Sequence, residues 1–215
     1  MKKRGRGYQT KEQQHFDRLT ETAGEIWWGS TTEAGIKRLR KRAYLIAQKL
    51  AHFKDPVVLE LGCGTGAFSK FILEELPLLR LTACDISPKA IQAATERYAD
   101  YKNACFEVAD VSSMHYATNT FDAVIGNSVL HHLPIEISLR ECFRVLKPGG
   151  IIWFSEPNMM NPQIAIEKNI RFIGRMLQNT EDETAFFRWS LAKTLQEVGF
   201  CNVSVQPSDC PASFN

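Results

Sequence analysis

Leu59-Glu60-Leu61-Gly62-Cys63-Gly64-Thr65-Gly66 is the stretch on which the fold turns. With Val57-Val58 ahead of it, it closes a short apolar run bounded by Asp55-Pro56, the signature of a buried parallel strand. The alternate glycines allow backbone conformations closed to other residues and let the main chain approach a ligand with no Cβ in the way. Phe68 to Leu76 then reads as a helix. A strand, a glycine turn and a helix in succession make a ligand-binding corner of an α/β sheet. Glu60, just before the turn, supplies a carboxylate suited to hydrogen-bond donors or to a cation such as an ammonium group.

Dinucleotide-binding turns carry G-x-G-x-x-G, whose third glycine packs the helix and whose helix N-terminus faces a pyrophosphate. Here the third glycine falls one residue early, which counts against a nicotinamide oxidoreductase. Asp85 lies about twenty residues on, at the end of the next strand, where it is placed to hold ribose hydroxyls.

Outward from this corner the chain alternates. Leu81 to Cys84 reads as strand two, Ser87 to Tyr98 as a helix, Ala104 to Val108 as strand three and Phe121 to Ile125 as strand four. Ile135 to Val145 makes a helix and Gly150 to Phe154 strand five, introduced by the turn Lys147-Pro148-Gly149-Gly150. The pattern predicts an α/β fold with a doubly wound, mostly parallel sheet. Leu191 to Val198 reads as a further helix and Val203 to Val205 as a sixth strand. Upstream, Ile36, Leu39, Ala43, Ile46 and Leu50 recur at helical spacing among lysines and arginines, giving a basic amphipathic helix from Thr32 to near Phe53. Met1 to about Asp17 is polar and basic and reads as a mobile arm. The division expected is residues 1–31 as arm and cap segment and 32–215 as one domain, with 157–190 as a candidate lid in which Ile166, Ile170, Ile173 and Leu177 share a helical stripe.

With 215 residues, 44% of them hydrophobic, the chain can close one sizeable core. A net charge of +2 gives no global attraction to nucleic acid or an acidic membrane. The six cysteines, Cys63, Cys84, Cys105, Cys142, Cys201 and Cys210, form no C-x-x-C pair and no Cys/His cluster, so no metal site is expected and they read as small buried hydrophobes. No apolar run approaches the roughly 18 residues of a membrane span and Met1 to Gly7 lacks a signal peptide's apolar segment, so a cytoplasmic protein is expected.

Glu60 through Gly66 resembles motif I of the class I S-adenosylmethionine-dependent methyltransferases, and Cys84-Asp85-Ile86-Ser87 resembles their ribose-binding motif. Val108-Ala109-Asp110-Val111 is similar to the adenine-binding segment, Phe121 to Asn127 to the strand-four motif, and Leu146-Lys147-Pro148-Gly149-Gly150 to the post-motif turn. The resemblance runs over roughly Val57 to Glu156, and the combination is more specific than any of its parts. It implies S-adenosyl-L-methionine as cofactor. Gly62, Gly64 and Gly66 would then accommodate the methionine part, Asp85 would accept from the ribose hydroxyls, and Ile86 would cover the adenine. Asp110 would accept from the adenine amino group, with the backbone at Val111 and Asn127 completing the pocket. Turn chemistry alone gives Asp110 a second reading as a turn or helix-capping acid.

Methyl transfer needs in-line approach and exclusion of water, and a base only for some acceptors. Asn127-Ser128-Val129-Leu130-His131-His132-Leu133 follows strand four, where the resemblance places the transferable methyl group. His131 is the candidate general base; the other reading is that one histidine fixes the loop through backbone carbonyls. Glu156, ending strand five, faces the same crevice as a weaker candidate or a hydrogen-bond holder. In this family the N-terminal segment and the insertion after strand five build the acceptor site. Here they carry Trp27-Trp28-Gly29-Ser30 and Pro157-Asn158-Met159-Met160-Asn161-Pro162, followed by Lys168, Arg171 and Arg175. The favoured reading is packing tryptophans and a solvated basic face; the sharper one is an anionic or lipid-linked acceptor, with peripheral contact to an anionic membrane.

Leu130-His131-His132-Leu133 and Lys147-Pro148-Gly149-Gly150 resemble runs of the broad group that includes quinone-biosynthesis C-methyltransferases and small-molecule O-methyltransferases, which implies a small-molecule, lipid-linked or saccharide acceptor. Nucleic acid is disfavoured because no Asn-Pro-Pro-Tyr run is present. The competing function is a non-catalytic, cofactor-binding interaction subunit of the same fold. The family sheet adds a sixth strand and an antiparallel seventh, and the sequence ends too early for an obvious seventh. A truncated domain, an unusual edge or completion by another chain is expected, with the oligomeric state left open.

Overall fold

The computed structural model describes residues 6–22, 30–156 and 188–206. Helix α1 (Arg6–Thr22) and helix α2 (Glu33–Leu50) precede the alternating body: β1 (Val57–Leu61), α3 (Ala67–Glu75), β2 (Arg80–Asp85), α4 (Pro88–Arg97) and β3 (Ala104–Val108). Then come β4 (Phe121–Asn127), a short 3-10 turn (Leu130–His132), α5 (Ile135–Val145), β5 (Leu146–Ser155) and α6 (Arg188–Val198). The strands form a five-stranded sheet in the order β3-β2-β1-β4-β5, every pairing parallel. The doubly wound parallel sheet read from the sequence is the fold observed.

Alternation along β1 builds the layers. Val58 packs with Leu39, Ala43 and Ile46 of α2 and Phe68 and Ile72 of α3, while Leu59 and Leu61 pack on the opposite face with Cys142 and Val145 of α5. Leu59 and Leu61 are fully buried, and each contributes about 2 kcal/mol of burial free energy. Glu60 takes the same side as Val58. Strand order reverses between β1 and β4, and a ligand crevice opens there at the carboxyl ends of the strands. At the opposite ends, Asp122 Oδ2 accepts from Val57 N (2.9 Å) and Oδ1 from Lys147 Nζ (2.8 Å). Burial opposes ionisation of that carboxyl, but Lys147 and the Val57 N–H outweigh it and hold its pKa below the usual value. The Asp122 and Lys147 motifs therefore pin β1, β4 and β5 together well away from the crevice.

Four readings change. Residues 6–22, expected within an irregular arm, form a helix. Its buried or half-buried residues Glu12, Phe16 and Leu19 do repeat at helical spacing, but an acid within so short a stripe hides the period. The Lys147 to Gly150 turn lies inside β5, where the β4–β5 register shifts between Phe121 and Ala123 and Gly149 takes φ +78°. Val203 and Val205 pack against the cluster of Leu130, Leu139, Leu191 and Leu195 without joining the sheet, so no sixth strand and no antiparallel seventh forms among the described residues. Cys63, Cys84 and Cys142 are buried, whereas Cys105 and Cys201 are exposed. Trp27, Trp28 and the stretch 157–187, with Lys168, Arg171 and Arg175, lie outside the described residues.

Candidate active site

The crevice is a cavity of about 1010 Å³ whose wall includes the glycine turn, the end of β2, the loop after β3, the loop after β4, and faces of α1 and α2. The three glycines of the turn all have positive φ: +64° at Gly62, +54° at Gly64 and +81° at Gly66. Their reasons differ. A Cβ on Gly62 would lie 2.4 Å from Val129 Cγ2, and one on Gly66 would lie 2.4 Å from Tyr98 Cε2. These two let the turn pack on its neighbours. A Cβ on Gly64 would meet nothing within 4 Å, and Gly64 lines the cavity, so its missing side chain leaves room for a ligand.

Asp85 closes the turn from β2. Its Oδ2 accepts from Gly64 N and its Oδ1 from Ser87 N, both at 2.9 Å. Each oxygen keeps acceptor capacity toward the cavity. Burial pushes its pKa up, against the opposing pull of the Ser87, Gly64 and Ile86 amides and of His132. Glu60 is 1% exposed and lines the cavity, and Ser69 Oγ donates a hydrogen bond to its Oε2 at 2.6 Å. Burial raises its pKa to about 7, with the Ser69 bond opposing and Asp85 adding to the rise. A carboxyl buried this deeply is best satisfied by a cation delivered from the cavity.

Ile86, Asp110, Val111 and Asn127 also line the cavity, so each expected cofactor residue other than Gly66 has a place on its wall. Asp110 Oδ1 accepts from Ser112 N (2.8 Å) and Ser112 Oγ (2.7 Å), the turn role that its sequence position also allows. The loop that carries Asp110 and Val111 is held from behind by Arg144, whose Nη1 donates to Tyr116 O (2.7 Å) and Nη2 to Met114 O (3.0 Å) while Glu141 grips the guanidinium. Asn127 Oδ1 accepts from Arg42 Nη1 at 2.5 Å.

The two histidines part company. His131 is 6% exposed and not among the cavity-lining residues; its Nδ1 lies 2.8 Å from Glu156 Oε2. Glu156 Oε1 also accepts from Val129 N (3.0 Å) and Leu130 N (2.9 Å), so this carboxylate gathers the start of the 3-10 turn onto the end of β5. His132 does line the cavity. So do Glu12, Phe16 and Thr20 of α1 and Arg38 and Arg42 of α2, none of which the sequence singles out. The arginines sit in a helix whose many cations look alike before the fold is known.

Residues 59–154 match the methyltransferase domain family. The chain is 29% identical over 188 residues to erythromycin 3''-O-methyltransferase of Saccharopolyspora erythraea, covering 80% of this chain and 60% of that one. It is 29% identical over 163 residues to a ubiquinone/menaquinone biosynthesis C-methyltransferase of Desulfotalea psychrophila, covering 68% and 66%. A Haloferax volcanii methyltransferase solved in complex with the Trm112 methyltransferase activator shares the fold at 18% identity and TM-score 0.68, covering 93% of this chain and 82% of that one. The chain spans less than two thirds of the length of these curated relatives. Residues 59–154 therefore form a methyltransferase domain, and these relatives support the class I S-adenosylmethionine-dependent methyltransferases as its family.

Proposed function

We propose that the protein transfers a methyl group from S-adenosylmethionine to a small-molecule, lipid-linked or saccharide acceptor. The observation that carries this reading is the open position at Gly64 on a cavity wall shared with the carboxylates of Asp85 and Glu60, which suits a ligand that lies against the backbone and carries both an ammonium and ribose hydroxyls. Glu60 would take the ammonium, Asp85 the ribose hydroxyls, Ile86 and Val111 the faces of the adenine, and Asp110 its amino group. The bound cofactor supplies an electrophilic methyl: the C–S pair stays with sulfur as the acceptor's lone pair forms the new bond. The chain's part is to orient both molecules, exclude water and accept a proton where the acceptor carries one. His132, on the cavity wall, is assigned that proton, and His131 is assigned to positioning through Glu156. Calorimetry with S-adenosylmethionine, S-adenosylhomocysteine and NAD tests the cofactor; binding of NAD alone would refute it. Transfer of labelled methyl into cell extract tests the activity and reports the acceptor's size and polarity.

Two expected results follow from the site. His131→Ala lowers turnover in the extract assay without abolishing cofactor binding, because the loop loses the imidazole contact to Glu156 while the backbone bonds to that carboxylate and the cradle stand; unchanged turnover removes His131 from the mechanism. The second concerns pH. Glu60 must be ionised to hold an ammonium, so S-adenosylhomocysteine affinity rises as pH climbs to about 7 and levels off above it, and Glu60→Gln removes the slope. The same raised value means that the empty protein loses stability as pH rises from 4.5 through about 7, since folding favours the neutral acid. A flat affinity profile in the wild type would remove Glu60 from ammonium binding.

Among the described residues no helix is long and apolar enough to cross a membrane. The working compartment proposed is the cytoplasm, with membrane contact limited to the basic helices; salt-sensitive pelleting with anionic liposomes is the result expected if the acceptor is lipid-linked.

A further inference from the structure

Helix α1 crosses the cavity and is fastened to both of its walls. On the β2 side, Asp17 Oδ1 accepts from Ser87 Oγ at 2.6 Å, one residue past the Asp85–Ile86 pair, and Glu21 pairs with Lys89. On the β4 side, Glu12 Oε1 lies 3.3 Å from His132 Nδ1, and the Phe16 ring meets the same imidazole edge-on with centroids 5.2 Å apart. Glu12 is 7% exposed. Burying a carboxylate is strongly unfavourable unless a partner compensates, and this helix has a solvent side that would have taken the acid without that penalty. Glu12 Oε1 makes no hydrogen bond there, so what it gains by facing inward is the electrostatic attraction of the imidazole edge 3.3 Å away.

Among the described residues, the charged and titratable groups recorded around His132 include Glu12 from α1, Asp85 from the end of β2, and His131, whose ring lies 4.0 Å away, centroid to centroid, and is itself held at Nδ1 by Glu156. Of these carboxylates, Glu12 is the one at ion-pair distance from a nitrogen of His132. A neutral imidazole carries its proton on one nitrogen and its lone pair on the other, and the partner of the first decides which. A carboxylate oxygen 3.3 Å from Nδ1, although outside hydrogen-bond geometry, repels a lone pair there and attracts an N–H, so its charge favours the Nδ1–H form and leaves the lone pair on Nε2. A third group that orients a base in this way is a recurring part of proton-transfer sites.

We propose that Glu12 is a positioning residue of the active site, fixing the tautomer and ring orientation of His132, so that the proton-accepting nitrogen is set only while α1 is docked. The inference rests on the reading of the cavity as a methyl-transfer site. It makes α1 part of the machinery: the helix that covers the cofactor also delivers the carboxylate that readies the base, so proton removal is coupled to closure over the ligand.

The test is long-range 15N–1H correlation on histidine-labelled full-length protein in alkaline buffer, with the His132 signals assigned by their loss in His132→Ala. The wild type is expected in the Nδ1–H form. Glu12→Leu removes the carboxylate, and the Nδ1–H signature is lost in favour of Nε2–H. An Nε2–H form in the wild type overturns the inference without recourse to any variant, as does an Nδ1–H form that survives in Glu12→Leu. Calorimetry with S-adenosylhomocysteine on the same samples separates the two levels: wild-type protein that does not bind it sinks the reading of the cavity, whereas binding with the wrong tautomer sinks the role of Glu12 alone.

Discussion

Gly64→Ala is expected to weaken S-adenosylhomocysteine binding about a hundredfold, close to 2.7 kcal/mol, while the protein remains folded. The added Cβ meets no protein atom within 4 Å, so its steric conflict is with a ligand lying against the turn. The cost to the empty protein is the left-handed backbone at φ +54°, roughly 1–2 kcal/mol for a residue with a Cβ. Gly62→Ala and Gly66→Ala carry the same kind of backbone cost and add collisions at 2.4 Å with Val129 and Tyr98. These two are expected to lower the melting temperature further, since overpacking adds about 1–3 kcal/mol and each kcal/mol shifts a domain of this size by about 2–4 °C. Thermal melts alongside calorimetry resolve the contrast. Wild-type affinity in Gly64→Ala would show that nothing approaches the turn at that point, and the cofactor assignment would lose its main support.

The same three glycines show what a sequence can disclose. Their spacing after the run Val57–Leu61 indicates a strand, a turn and a helix, and the alternation of such runs with helical periods indicates a parallel sheet, whose central strands are covered on both faces. Which glycine serves the ligand and which serves packing is not visible in the spacing; it depends on Val129 and Tyr98, 67 and 32 residues away along the chain from Gly62 and Gly66 respectively. The histidines divide in the same way. Adjacent side chains in a turn point in different directions, and only the fold decides that His132 reaches the cavity while His131 turns toward Glu156. Helix α1 was the least legible element. Its inward stripe contains Glu12, and a charged residue in such a stripe reads as surface until His132 is brought against it. Val203 and Val205 err the other way: their apolar character comes from packing beside α5 and α6, and it needs no sixth strand.

Asp85→Ala should have the largest effect of any single change at the site, a loss of S-adenosylhomocysteine affinity on the order of a thousandfold. Hydrogen bonds to a charged acceptor contribute about 1.5–3 kcal/mol each, and two ribose hydroxyls would lose theirs together. The turn suffers as well, since Gly64 N and Ser87 N both donate to this carboxylate and would be left without it. The two contributions can be told apart with a ligand lacking one hydroxyl. The 2′-deoxy analogue of S-adenosylhomocysteine should bind the wild type about tenfold or more weakly than the parent, yet the alanine variant should hardly distinguish them, because the partner of the missing hydroxyl is already gone. If instead both ligands fall by the same factor in the variant, Asp85 acts through the turn alone. The ribose would then have to be held by another group on the cavity wall, and the carboxylate's place beside Gly64 would be explained by backbone anchoring.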